Sequence, residues 1–196
     1  MNNPVVTLRP LAREELSGIA PWFEDPDTQR FLGGPDWPAA MLANADRSIG
    51  TTFRGATQSG VHHYLALAAD NPAADNPVGY IDCGTFDRCA VYGGEGPDGP
   101  IILETIEAVT GSIAFVIDPQ VRRRGLGRAM IAALTEQPEL HLVELFEAGV
   151  EPANTASRSC LEAAGFRVRS DEPDYEGMLY YSAWRASVDL DARLLA

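Results

Sequence analysis

An α/β fold is predicted by three features of the sequence. In the second half of the chain, segments rich in branched and aromatic residues alternate with segments whose apolar residues recur at helical spacing. A run of arginines and glycines joins one such strand to the helix after it, as anion-binding loops do. The chain has 196 residues, 45% of them hydrophobic, which is enough to bury one core and matches a single domain over residues 1–196.

The elements are expected in this order. A first strand covers 5–9, and helices cover about 13–23 and 38–46. Strands follow at 62–69 and 77–86. The segment Tyr92-Gly93-Gly94-Glu95-Gly96-Pro97-Asp98-Gly99-Pro100 reads as loop by composition. A strand at 111–118 and a helix at 125–136 come next, the helix carrying apolar residues at 126, 130, 131 and 134. A strand at 141–150, a helix at 154–164 and closing strands at 165–170 and 178–185 complete the pattern. The tail from Ser187 to Ala196 has the composition of a short helix. No repeat or low-complexity tract interrupts it.

The run Asp118-Pro119-Gln120-Val121-Arg122-Arg123-Arg124-Gly125-Leu126-Gly127-Arg128 falls at the N-terminus of the predicted helix at 125–136. Unpaired N–H groups and the positive end of the helix dipole face outward there, and glycine lets an anion approach the backbone. By residues alone the run fits either a pyrophosphate clamp or a turn with solvated arginines. Other phosphate loops are excluded by spacing. A dinucleotide fingerprint needs a third glycine where Met130 stands, and a P-loop needs a lysine, of which this chain has none.

A second segment, Glu151-Pro152-Ala153-Asn154-Thr155-Ala156-Ser157 through Gly165-Phe166, opens a helix that Asn154 can cap and Gly165 can end. Together the two segments resemble the GNAT acyltransferase superfamily. Arg122-x-x-Gly125-x-Gly127 is similar to its acetyl-CoA signature, and Asn154, Ser157, Gly165 and Phe166 match its second motif. The opening Val6-Thr7-Leu8-Arg9-Pro10, with Trp22-Phe23, Asp25-Pro26 and Phe31-Leu32-Gly33-Gly34, resembles the aminoglycoside 6′-N-acetyltransferase branch and its Rim-type relatives. So do Pro77-Val78-Gly79-Tyr80-Ile81-Asp82 and the glycine-rich insert from Asp87 to Thr110, and the likeness spans about residues 5 to 185.

The resemblance implies a mixed central sheet of six to seven strands flanked by helices, acetyl-CoA as co-substrate, no metal, and direct attack of an amine on the thioester. It places Phe115, Val116 and Ile117 along the pantetheine arm and thioester. The pyrophosphate falls to Arg122, Arg123, Arg124, Gly125, Leu126, Gly127 and Arg128, and Asn154 reaches the pantetheine. Two departures stand out. An aspartate on the fourth strand of some aminoglycoside enzymes falls at Ile113, and the tyrosine seven residues after the Asn in many relatives is Leu161. Acid and base must then come from elsewhere: Ser157, Tyr180 or Tyr181 as donors, and Asp82, Glu104 or Glu147 as acceptors, with Ser157, Asp82 and Glu147 preferred. The expected activity is N-acetylation of a small-molecule or peptide amine. A non-catalytic acyl-CoA-binding module and a siderophore-precursor acyltransferase are the alternatives.

The formal charge of −13 disfavours nucleic acid, whose binding needs lysine and arginine, and favours a cationic partner. No run approaches the roughly 20 apolar residues of a membrane helix. The first residues lack the basic and apolar regions of a signal peptide. Cys83, Cys89 and Cys160 suit neither a disulfide framework nor a Cys-x-x-Cys metal site, and Cys160 reads as packing. A soluble, reduced, cytoplasmic protein is expected, with a homodimer left open. Because Ile113 and Leu161 remove a carboxylate and a phenol, aminoglycosides should be poor acceptors despite the acidic surface. Acetylation of kanamycin with kcat/KM at or above about 10⁴ M⁻¹s⁻¹ would overturn this expectation.

Overall fold

In the computed structural model, residues 4–69, 76–186 and 188 are described, and the tail expected as a helix lies largely outside them. The main sheet has the order β1-β3-β4-β7-β8-β10-β9, with β2 on the side of β3. Its strands are β1 (Val6–Pro10), β2 (Thr52–Phe53), β3 (Ala56–Ala68), β4 (Gly79–Phe86), β7 (Thr110–Ile117), β8 (Leu145–Val150), β9 (Arg167–Val168) and β10 (Leu179–Trp184). All neighbours are antiparallel except β7 and β8, which are parallel and joined through helix α4 (Leu126–Thr135). A parallel pair needs such a crossover.

Alternation along the strands assigns the two faces. Ile81, Cys83, Ile113, Phe146, Ala148 and Tyr181 pack with Met130, Ile131 and Leu134 of α4 and with Leu161 of α5 (Thr155–Ala163). The opposite face has two separate covers. Over β3, β4 and β7 lie the N-terminal segments, where Ile19, Trp22 and Phe23 bury Leu65, Tyr80 and Val116. Over β8 and β10 lies a hairpin of β5 (Cys89–Gly96) and β6 (Gly99–Ile106), whose Cys89 packs with Leu145.

That hairpin corrects the expected loop. Gly94 and Gly99 take positive φ of 121° and 117°, and shifted pairing around Tyr92 breaks the strict alternation that marks strands in sequence. The expected helix at 13–23 is also corrected. It is a succession of 3₁₀ turn, α1 (Leu16–Ile19) and 3₁₀ turn, consistent with Gly18 and Pro21 interrupting a continuous ladder. A short helix, α2 (Pro26–Phe31), follows, with proline at its start and Asp25 accepting the Thr28 N–H at 3.1 Å. The helix α3 spans Trp37–Ser48, close to expectation. The strand expected at 141–150 begins only at Leu145, after a 3₁₀ turn at Pro138–Leu140.

Helices α4 and α5 meet where Gly127 faces Cys160. A Cβ at Gly127 would lie 2.7 Å from the Cys160 Sγ, so the packing of Cys160 and the absence of a side chain at 127 are one feature. Gly127→Ala should cost about 1 to 3 kcal/mol through overpacking. Cys160→Ala in the same chain should recover most of that loss, and a double-mutant cycle in urea that finds the two changes additive would refute the coupling.

Candidate active site

The site begins where a ladder stops. Strands β7 and β8 pair at Thr110 with Leu145, Gly111 with Phe146 and Ser112 with Glu147, and no further. Beyond Ser112 they diverge, while β7 stays paired to β4 as far as Ile117. Residues 113–117 therefore carry N–H and C=O groups on the β8 side with no strand to bond them. The resulting cleft, of about 630 Å³, is walled by Ile113–Ile117 on one side and Ala148–Glu151 on the other. Its ends are formed by the loop before α4, the first turns of α5, and α2.

The loop before α4 has the form that the sequence suggests. Gly125 is the residue before the helix and is left-handed, with φ 79°, and a Cβ there would meet only Pro4, at 3.4 Å. Arg123 is left-handed as well, with φ 67°, a conformation that costs a residue with a side chain about 1 to 2 kcal/mol. Two left-handed residues on either side of Arg124 thus turn the chain tightly at the helix N-terminus, where backbone N–H groups lack helical partners.

The three arginines separate by task. Arg123 and Arg128 line the cleft, whereas Arg124 is exposed and does not. Arg122 also borders the cleft, but its guanidinium is engaged: Nη2 donates to Asp25 at 2.9 Å and to Thr28 at 2.8 Å, and Nε to the Ile117 carbonyl at 3.3 Å. It ties α2 to the end of β7. Burial pushes the Asp25 carboxyl up, but the Thr28 N–H, Arg122 and the Thr28 hydroxyl together hold it below its ordinary range. Arg122 and Arg124, both expected at the coenzyme, thus differ in their surroundings. One side chain is a strut and the other points away from the lining.

Asn154 caps α5, its Oδ1 accepting the Ser157 N–H at 3.1 Å, which leaves its N–H₂ for a ligand in the cleft it lines. Ser157 lines the same wall. Phe115, Val116, Ile117, Leu126 and Gly127 all border the cleft, and Leu126 also anchors α4 in the core.

The carboxylates divide too. Asp82 is directly across from Ala114 of β7 and His63 of β3, on the face covered by the N-terminal segments. Its Oδ2 accepts the Tyr80 hydroxyl at 3.0 Å, and the Tyr80 oxygen lies 2.8 Å from His63 Nδ1. Since Tyr80 has one hydrogen and gives it to Asp82, His63 must donate through Nδ1, leaving its buried Nε2 bare. Burial raises Asp82 to about 7, against the lowering pull of the Tyr80 hydroxyl and the Ala114 N–H, and burial lowers His63. Glu147 differs. Its Oε2 is held by Arg169 at 2.9 Å and accepts the Cys89 S–H at 3.3 Å, so its charge is already balanced and it fastens β8 to the hairpin. Glu147, named from the sequence as a candidate base, is not part of the cleft lining. Glu104 is exposed on β6, and the Tyr181 hydroxyl is bound to Arg158 and Glu162, on the far face from Asp82. Ile113 and Leu161 are buried in the core.

Sequence reasoning named Asp82 but missed Tyr80 and His63. The signal available was the i, i+2 spacing of Tyr80 and Asp82, which puts both on one strand face. Among the described residues there is no cluster of His, Cys, Asp or Glu suited to a metal, and no helix is long and apolar enough to cross a membrane.

Residues 6–167 match the family described as acetyltransferase (GNAT) domain. The chain is 33% identical over 169 residues to a protein of Bacillus subtilis (strain 168) named uncharacterized N-acetyltransferase YfmK, covering 84% of this chain and 87% of that one. Among solved structures it is similar to aminoglycoside acetyltransferase AAC(6')-Ib in complex with ribostamycin and coenzyme A. The TM-score is 0.62 at 19% identity, over 94% of this chain and 99% of that chain. It is also similar to spermidine N-acetyltransferase from Vibrio cholerae in complex with CoA and spermine, with TM-score 0.60 at 13% identity, over 92% and 96% of the two chains. At these identities the likeness is one of fold.

The strain at Arg123 yields a prediction of opposite signs. Arg123→Gly should stabilise the protein by about 0.5 to 1 kcal/mol, because relief of the left-handed strain exceeds the entropy cost of glycine. The same change should weaken coenzyme A in calorimetry through loss of a phosphate contact. Unaltered affinity would remove Arg123 from the binding site.

Proposed function

The chain belongs to the GNAT acetyltransferase family, and from that premise we propose that it works as one domain that passes the acetyl group of acetyl-CoA directly to an amine, with Asp82 as the proton acceptor. The observation that carries this reading is the parting of β7 from β8 above a glycine-built anion loop. An amide-bearing arm can pair with the open edge of β7 as a further strand would, while its phosphates rest on the N–H groups around Arg123 to Gly127. Asn154 N–H₂ is placed to steady the arm.

Acetyl-CoA supplies the activated thioester; the residues supply position, proton traffic and charge. Orientation of amine and thioester is worth about 7 to 11 kcal/mol. Asp82 takes a proton from the ammonium, directly or through one water, so that a C–N bond can form as the C–S bond breaks. Backbone N–H groups of β7 receive the developing oxyanion, a donor being worth about 3 to 4 kcal/mol. Ser157, on the opposite wall, passes a proton to the departing thiolate and takes in its place the proton that the nitrogen loses on becoming an amide. Asp82 pairs with Ala114, two residues past the last rung between β7 and β8, and Ala114 lines the cleft, which supports its assignment as the base.

Several observations support a cytoplasmic small-amine enzyme: a net charge of −13, which draws cations, and free thiols at Cys83, Cys89 and Cys160. Thiol release from acetyl-CoA across a panel of primary amines tests the activity. Coenzyme binding without thiol release from any amine would sink it in favour of a binding module.

Asp82 makes a sharper prediction. With a raised pKa of about 7, it is neutral in the folded state where the unfolded chain is already ionised, so stability falls as pH rises between the two values. Asp82→Asn should therefore melt higher than the parent at pH 8, yet lose about 10²- to 10⁴-fold in kcat and the ascending limb of the rate profile near pH 7. A retained limb would assign the base elsewhere.

A further inference from the structure

On the hairpin side of the sheet a second cavity, of about 520 Å³, lies between β5–β6, the segment 169–175 and the start of β10, with Tyr92, Leu103, Pro173, Tyr175, Met178 and Tyr180 in its lining. Met178 lines both this cavity and the acyl cleft. The Tyr180 ring and Met178 Cε lie 3.4 and 3.6 Å from where a Cβ of Gly149 would stand, and Gly149 is part of the cleft wall. The two spaces thus adjoin across a residue without a side chain.

Two carboxylates around this cavity are paired with guanidinium groups, two accept neutral donors, and Glu172 lines it exposed. Glu176 is paired with Arg54, Glu147 with Arg169 at 2.9 Å, and Glu95 accepts the Tyr92 hydroxyl at 2.8 Å. Asp174 accepts the N–H groups of Glu176 and Met178 at 3.0 and 2.8 Å. The Arg54 guanidinium, 4.4 Å from the Tyr92 ring centre, occupies the aromatic face that a ligand cation would use. Against this, Leu103 and Tyr175 are 70% and 69% exposed at the cavity, apolar surface that folding alone leaves uncovered.

We propose that this cavity is the acceptor pocket and that it selects a primary amine carried on an aromatic or branched apolar body, with a short arm, in preference to a polycation. The proposal rests on the acetyl-transfer reading. The cavity and the cleft adjoin at Gly149, so a short arm can carry the nitrogen of a body seated in the cavity across it into the cleft. A polyamine or aminoglycoside presents several ammonium groups, against which the pocket sets Glu172 and Asp174 in an otherwise largely aromatic and apolar lining.

Tyramine and 3-methylbutylamine, compared with spermidine and kanamycin, test this. With acetyl-CoA, the first two should show kcat/KM about tenfold or more above the others. Tyr175→Ala and Leu103→Ser, both at exposed positions, should raise the KM for tyramine while leaving that for acetyl-CoA where it was. A preference for spermidine or kanamycin, or an unchanged tyramine KM in Tyr175→Ala, overturns the proposal. Calorimetry of tyramine on the protein saturated with coenzyme A separates pocket from chemistry. Binding that weakens in Tyr175→Ala supports the pocket even if no thiol is released, a result that would instead reject acetyl transfer; no binding to the parent protein overturns the pocket.

Discussion

The parting of β7 and β8 after the rung of Ser112 and Glu147 is the constraint on which the rest of the molecule turns. A sheet interior normally satisfies every backbone group, and unpaired groups there cost free energy comparable to a lost hydrogen bond. Here β7 is held straight by a full ladder to β4, while β8 is held by a full ladder to β10, and neither can bend toward the other. The gap is thus enforced by its neighbours. Its unpaired edge is a local cost that an amide-bearing ligand paired along it would relieve.

The covers of the sheet follow from that opening. Helices α4 and α5 close the gap on one face, and their approach at Gly127 and Cys160 brings the anion loop and the Asn154 cap to the same end of the cleft. On the other face the N-terminal segments and the hairpin stay apart, each with its own small core. Arg122 and Arg169 act as fasteners of these covers, one to Asp25 and one to Glu147, which explains why two charged residues beside the cleft are not free for chemistry.

The network behind Asp82 shows how a core can tune a reactive group. Tyr80 belongs to the buried cluster of Phe23 and Trp37, whose rings pack edge-on to it, so its hydroxyl is held toward Asp82. A carboxylate supported by a single hydroxyl and one backbone N–H in a desolvated row is under-compensated, and its proton affinity rises accordingly.

Short-range chemistry in the sequence determined the parts of this protein that depend on neighbours along the chain. The left-handed Gly125 before α4, the Asn154 cap, the strand from Thr110 to Ile117 and the helix after it follow from residue type at fixed spacing, and so were legible without a fold. The hairpin was not, because its glycines and shifted register erase period-two alternation. Nor were the different fates of Asp82 and Glu147, or of Arg122 and Arg123. Each pair offers the same chemical groups in sequence, and partners from distant segments, His63, Arg169 and Asp25, beside the strand neighbour Tyr80, distinguish them. Tertiary structure decided these because charge compensation and burial depend on what lies within a few ångströms in space, which the order of residues along a chain does not encode locally.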